Sequence, residues 1–307
     1  MKRIRQAALA AGISVLALQQ LYRYAFSRST PLLIRGIEGL RPNHYRDEQF
    51  HALRAEAATR ALALPHVTLT GWSQRGIRVR GTLWQAGEKP SGTLVMIVHG
   101  LRSTGLETAA PYIPYYHSRG IDVFAPDHEA AGQSSGNWYS YGYHESVCCI
   151  RWLDHLIARY GRDVKIILHG SSMGAATVLQ MSDCCPAQVR FLVSDCAFTS
   201  AREILLRQAG NVIPAYSLLR ALCRLHGGFD LDRADARPHV SRADRPILFV
   251  HGTDDQLVPC AMTDELYTLY AADKILFHAE GARHAESIFY RRQEYETLLD
   301  QFIHQYC

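Results

Sequence analysis

From about residue 66 onward, short apolar runs rich in β-forming residues alternate with amphipathic helical segments. Three of those runs close on the same dipeptide: GTLVMIVHG, VKIILHG and PILFVHG end at His99-Gly100, His169-Gly170 and His251-Gly252. Continuous apolar runs are the pattern of strands buried on both faces, and parallel strands need crossover helices between them. HVTLTGW and GIRVRGTLWQ, which alternate in polarity, read as a hairpin; IDVFAPD, VRFLVSDCAF and KILFHAE complete a set of strands. Helices are expected near 105–118, over YGYHESVCCIRWLDHLIARY up to Gly161, over MGAATVLQMSD, near 200–225, near 259–272 and near 285–305. The expected fold is therefore α/β: a mostly parallel eight-stranded sheet with helices on both faces. Residues 199–245 interrupt the alternation between two strands, as a small helical insert placed to overhang the sheet's carboxyl edge.

At 307 residues, 48% hydrophobic and 20% charged, the chain has ample material for one large globular domain. A net charge of +4 offers no broad basic surface for nucleic acid, and the imbalance is local. The first 50 residues carry eight Lys or Arg against three Asp or Glu. Lys2, Arg3 and Arg5 precede a stretch without charge up to Arg23, apolar from Ala7 to Leu18 except at Gly12 and Ser14. That layout is a signal anchor, or a helix lying in a membrane surface with Arg23 and Arg28 at the headgroups; the plainer reading is an N-terminal helix packed on the domain. The expected organisation is an anchor over 1–28, a helical or irregular connection over 29–65, and the main domain over 66–307. The eight cysteines include two adjacent pairs and no CxxC, which argues against a zinc site and suits a reducing compartment. The leading basic residues would send the domain outward, whereas Arg23, Arg28 and Arg35 oppose that orientation, so the flanks do not choose a side.

In an open α/β sheet, functional groups gather beyond the carboxyl ends of the strands. There LHGSSMGAA presents Gly170-Ser171-Ser172-Met173-Gly174, a G-x-S-x-G match between a predicted strand and a predicted helix. Such a turn exposes the central serine, Ser172, and aims the backbone N–H of Met173 at a developing oxyanion. The alternative is a serine that merely caps the helix. A serine nucleophile needs a base and an orienting carboxylate. FVHGTDDQLVP offers Asp254 and Asp255 after one strand, and AEGARHAES offers His284 after the next; His278 lies inside a strand run. Asp195, after FLVS, suits a structural role. Ser134, in a second GxSxG at 132–136, lacks a following helix. The three strand-terminal histidines read as scaffold and not as metal ligands.

The segments VHGLRST, DHEAAGQSSGNW, HGSSMGAAT, SDCAFTS, HGTDDQLVP and GARHAES together resemble the α/β-hydrolase superfamily over about residues 66–307. The likeness is to its membrane-associated serine hydrolases of the uncharacterised or S9/S33-peptidase-like type. The resemblance implies Asp255, not Asp254, as the acid, through H-G-x-x-D-x-x-V-P, and the backbone N–H of Leu101 as a second oxyanion donor. It also implies that Asp127-His128-Glu129-Ala130-Ala131 replaces a basic, glycine-containing run at the mouth of the site. The expected protein is a cofactor-free and metal-free serine hydrolase acting on a small or lipid-like acyl substrate. The alternatives are a serine peptidase and an inactive hydrolase-fold binding protein.

Overall fold

The computed structural model describes residues 20, 22, 23, 25–28, 48–88, 92–208 and 210–307. Most of the expected anchor and the first part of the connection lie outside these. The connection ends in helix α1 (Glu48–Ala63). Strands β1 (His66–Trp72) and β2 (Arg78–Trp84) form the expected antiparallel hairpin, and β2 also runs antiparallel to β4 (Asp122–Pro126). Strands β3 (Thr93–Val98), β5 (Lys165–Ser171), β6 (Val189–Asp195), β7 (Ile247–Gly252) and β8 (Lys274–Ala279) continue the sheet in parallel. The order is β1-β2-β4-β3-β5-β6-β7-β8, eight strands in one sheet.

The helices follow in chain order: α2 (Gly105–Ala109), α3 (Ile113–His117), α4 (Tyr143–Tyr160), α5 (Met173–Gln180), α6 (Ala201–Gln208) and α7 (Ile213–Leu222). After them come α8 (Arg237–Val240), α9 (Cys260–Leu269), α10 (Ser287–Tyr290) and α11 (Arg292–Tyr306). Because side chains alternate along a strand, β3 sends Leu94, Met96 and Val98 to one face and Val95 and Ile97 to the other. The first face packs on Trp152, Leu153 and Val178 of α4 and α5; the second packs on Tyr116, Tyr295 and Leu299 of α3 and α11. Burial on both sides is the reason these strands read as unbroken apolar runs.

Three predicted helices are divided. The 105–118 candidate breaks between α2 and α3, where Pro114 lacks the N–H that an uninterrupted helix needs. The 200–225 stretch turns at Gly210 and Asn211, both with positive φ, separating α6 from α7. The last helix breaks at Arg291, whose extended φ of −129° separates α10 from α11.

The insert builds a third apolar cluster over the carboxyl edge of the sheet, and the end of the N-terminal segment belongs to it. Tyr22 and Phe26 are buried with Tyr141, Phe198, Leu205 and Leu219. Tyr139 N–H donates to the Phe26 carbonyl (2.8 Å), and Tyr141 Oη donates to the Ala25 carbonyl (3.0 Å). Arg28, at the headgroups in the membrane-surface reading of this segment, donates to the Ser134 carbonyl (2.9 Å) and to that of Gly132. Among the described residues no helix is long and apolar enough to cross a membrane.

Candidate active site

Strand β5 ends at Ser171, and Ser172 turns the chain with φ 58° and ψ −121°, a backbone region that L-residues rarely occupy. The turn is held on both sides: Ser172 N–H donates to the Asp195 carbonyl (2.8 Å), and the Ser172 carbonyl accepts from Ala176 N–H (3.0 Å). Both flanking glycines are required by close approach. A Cβ on Gly170 would lie 2.4 Å from the Gly174 carbonyl oxygen, and one on Gly174 would lie 2.0 Å from that of Val98. The first turn of α5 is thereby pressed against the end of β3. Ser172 occupies the cap position of α5, but its hydroxyl makes no capping hydrogen bond. It reaches His284 instead.

Ser172 Oγ lies 2.8 Å from His284 Nε2, and His284 Nδ1 lies 2.6 Å from Asp255 Oδ2. A carboxylate can only accept, so Nδ1 carries the ring proton and Nε2 is left to accept from the serine hydroxyl. The other carboxylate oxygen, Asp255 Oδ1, accepts the N–H groups of Leu257 and Val258, each at 2.9 Å. His251 completes the support: its Nε2 faces Asp255 Oδ2 (3.2 Å) and the Val258 carbonyl (2.9 Å), and Nδ1 accepts from Thr263 Oγ1 (2.7 Å). Burial alone would raise the Asp255 pKa, but the charge of His284 and hydrogen bonds from both histidines hold it well below the usual carboxylate range. Burial alone would likewise favour a neutral His284; Cys196 and the Asp255 carboxylate outweigh it, and the His284 pKa stands well above its ordinary value.

The two residues expected as oxyanion donors, Leu101 and Met173, flank Ser172 on the wall of a cavity of about 430 Å³. One side of the cavity is apolar, formed by Tyr141, Phe198, Ile204, Leu205, Leu219 and Val258. The lining also includes Arg54, Arg102 and Arg283. Asp254 is at the exposed mouth, and Glu286, the other acid on the wall, is engaged by the Arg283 guanidinium (3.0 Å). Asp255, not its neighbour, is the carboxylate on His284. His278 sits in β8 and pairs with Asp264 at 2.8 Å.

Other sequence-singled residues take structural positions. Asp195 is buried and accepts from Ser287 Oγ (3.1 Å) and, at longer range, from the hydroxyls of Tyr112 and Tyr295 (3.4 Å each). Burial pushes its pKa up to about 6, against the pull of His251 and the Ser287 hydrogen bond. Ser134 Oγ donates to the Asp127 carbonyl and accepts from Arg80 N–H, each at 2.8 Å, as a turn residue does. The 127–131 run corrects an expectation: it is buried, not at the mouth. The His128 ring packs at a tilt on His99 (ring centroids 4.3 Å apart), Asp127 accepts from Gly105 N–H and Gln133 N–H, and Glu129 pairs with Arg75.

Two residues beside the site carried no functional signal in the chain. His251 reads as a strand end, and its part in holding Asp255 exists only through space. Cys196, with φ 54° just past β6, has its thiol within 4.8 Å of ligand atoms of both His284 and Asp255. These three residues, and separately Cys260, Asp264 and His278, are the described groups whose spacing could hold a metal ion. In the first set the histidine and carboxylate are already hydrogen-bonded to each other, and the second is partly exposed around the Asp264–His278 pair.

Comparisons with known proteins agree with this architecture. A family model described as serine aminopeptidase, S33, matches residues 89–232, a span that includes Ser172 and stops before Asp255 and His284. The uncharacterized protein YqkD of Bacillus subtilis is 28% identical over 215 residues, covering 68% of this chain and 70% of that protein. The uncharacterized protein YfhR of Escherichia coli is 23% identical over 239 residues, covering 73% and 77%. Among solved structures, an esterase from Pyrococcus furiosus superimposes with a TM-score of 0.64 at 18% identity, over 80% of this chain and 95% of that one. Sheet order, the strand-to-helix turn at Ser172 and these matches show that the chain has the α/β-hydrolase fold.

Proposed function

We propose that the protein is a serine hydrolase that cleaves a carboxylic ester or related acyl bond through an acyl-enzyme on Ser172. The observation that carries this reading is the continuous hydrogen-bonded line from Ser172 Oγ through His284 to Asp255, opening on the cavity. In the proposed reaction His284 Nε2 takes the hydroxyl proton as Ser172 Oγ bonds to the acyl carbon. The carbonyl electrons move onto oxygen, facing the N–H groups of Leu101 and Met173, a stabilisation of typically ~3–4 kcal/mol per donor. The intermediate then collapses, and the leaving alkoxide receives the proton from His284. Water, deprotonated by the same nitrogen, attacks the acyl-enzyme and returns Ser172 to its starting state. Asp255 keeps the ring in the required tautomer throughout.

The apolar wall, to which the insert contributes Ile204, Leu205 and Leu219, supports an acyl group on that side of Ser172. A peptidase acting on a free amino terminus needs a carboxylate to receive the amine. Glu286 is committed to Arg283, which leaves Asp254 at the mouth as the other carboxylate on the lining. The ester reading therefore fits the lining better. A fluorophosphonate should label the wild-type protein at Ser172 and leave Ser172→Ala unlabelled. Undiminished labelling of Ser172→Ala would refute the assignment.

A further inference from the structure

Helix α7 is apolar on two sides. Its inward face places Tyr216 and Leu219 in the insert core, with Leu219 on the cavity wall. Its outward face carries Pro214, Leu218 and Ala221, continued by Leu225 in the wider turn at Cys223–Gly227, at the helical spacing of three and four residues. Ile213 and Val212 extend the stripe at the helix start. Leu225 is 75% exposed, Ile213 61%, Val212 50% and Leu218 42%. A surface helix ordinarily turns a polar face outward, so a helix with an apolar face on each side calls for a second covering.

We propose that this outward face of α7 docks on an anionic phospholipid bilayer. Two features of the surroundings select that occupant. First, Tyr22 packs its ring on those of Trp138 (5.0 Å) and His226 (5.9 Å), so the chain reaches Tyr22 beside the Leu225 end of the stripe. The residues preceding Tyr22 in sequence are uncharged back to Arg5 and begin with Lys2, Arg3 and Arg5, the composition of a membrane-seeking segment. Second, the insert is basic where it is exposed. Residues 201–227 hold four arginines and one acid, Glu203, which is bound to Arg237. Arg202, Arg207 and Arg224 are exposed on the insert, Arg224 while also touching Asp230, and Arg220 is paired with Asp230 and Asp232. A second copy of the chain would bring these cations against their own kind, whereas anionic headgroups complement them. Docked in this way, α7 separates the bilayer from the cavity by one helix diameter, and acyl chains would enter beside Leu219. The docking does not depend on Ser172 being a nucleophile; only the entry of acyl chains rests on the proposed function.

The test is hydrogen–deuterium exchange of the full chain, with vesicles of phosphatidylcholine containing phosphatidylglycerol and with phosphatidylcholine alone. Peptides covering 211–227 should slow by at least about fivefold with the anionic vesicles, and the double variant Ile213→Glu/Leu225→Glu should lose that protection. Both residues are exposed, so undiminished fluorophosphonate labelling in solution checks that the variant is folded. No slowing in wild type with anionic vesicles would overturn the proposal. So would protection already present without vesicles, whether it is relieved by deleting residues 1–19 (the chain's own N-terminus) or grows with protein concentration (a second copy). Failure of Ser172 labelling with vesicle protection intact would leave the docking surface standing and remove only the catalytic reading.

Discussion

Ser172 holds a rare backbone conformation because hydrogen bonds on both sides over-determine it, and that conformation is what frees its hydroxyl from capping duty. Gly170, Ser172 and Gly174 were legible because the constraint is local: three residues must permit one sharp turn. His284 and Asp255 were legible by their place at strand ends. His251 and Cys196 were not, since nothing in VHG or SDC tells a reader which side chains they meet across the sheet edge. The electrostatics at this scale give a pH prediction. In the proposed reaction His284 must be neutral to take the Ser172 proton, and its pKa stands above the ordinary value, so the acid limb of kcat/KM should lie at correspondingly higher pH. Asp255→Asn removes the carboxylate that favours the imidazolium, so the limb should move to lower pH. The same change releases the tautomer, and the plateau should fall by ~10⁴, as loss of the orienting acid does in related constellations. A pH profile of ester turnover checks both; an acid limb that stays in place would separate His284 from Asp255.

Among the elements, α4 shows how a helix far from the reacting atoms shapes the cavity. Glu145 is buried in its first turn, where Oε1 accepts from Ser140 N–H (2.8 Å) and Oε2 from Gly142 N–H (2.9 Å). The loop so fixed carries Tyr141, a cavity wall residue whose backbone carbonyl is bound by Gln180 Nε2 (2.9 Å). Glu145→Ala should cost ~2–4 kcal/mol by leaving two buried N–H groups unpaired, read as a fall in Tm, with Glu145→Gln recovering part of it. The helix itself was readable from its 3.6-residue pattern and from Gly161 at its end. The cap was not, because it rests on burial that composition does not reveal. Likewise, the unity expected of 105–118 and 285–305 failed where Pro114 and the φ of Arg291 interrupt a pattern that remains apolar on one face.

For the whole molecule, parallel order is decisive: β5, β7 and β8 all end at the same edge, so residues 83 and 29 positions apart in the chain converge on one cavity. The insert then roofs that edge and adds Ile204, Leu205 and Leu219 to the apolar wall. Leu219→Trp adds bulk inside the wall, and the proposed esterase should respond by losing turnover of long-chain nitrophenyl esters by about tenfold or more while keeping that of acetyl esters. A series from acetyl to decanoyl checks it; equal loss along the series would mean that acyl chains do not lie against α7.

Taken by itself, the sequence determined the α/β class, the strand set, the glycine-flanked Ser172 and the strand-end loops bearing Asp255 and His284. Each of these follows from local periodicity, a steric requirement or a motif. The tertiary structure decided the rest: that 127–131 is buried, that Arg28 faces the protein, that His251 braces Asp255, and that α7 is apolar inside and out. Those outcomes depend on which surfaces meet, and a linear pattern records only which residues are available to meet.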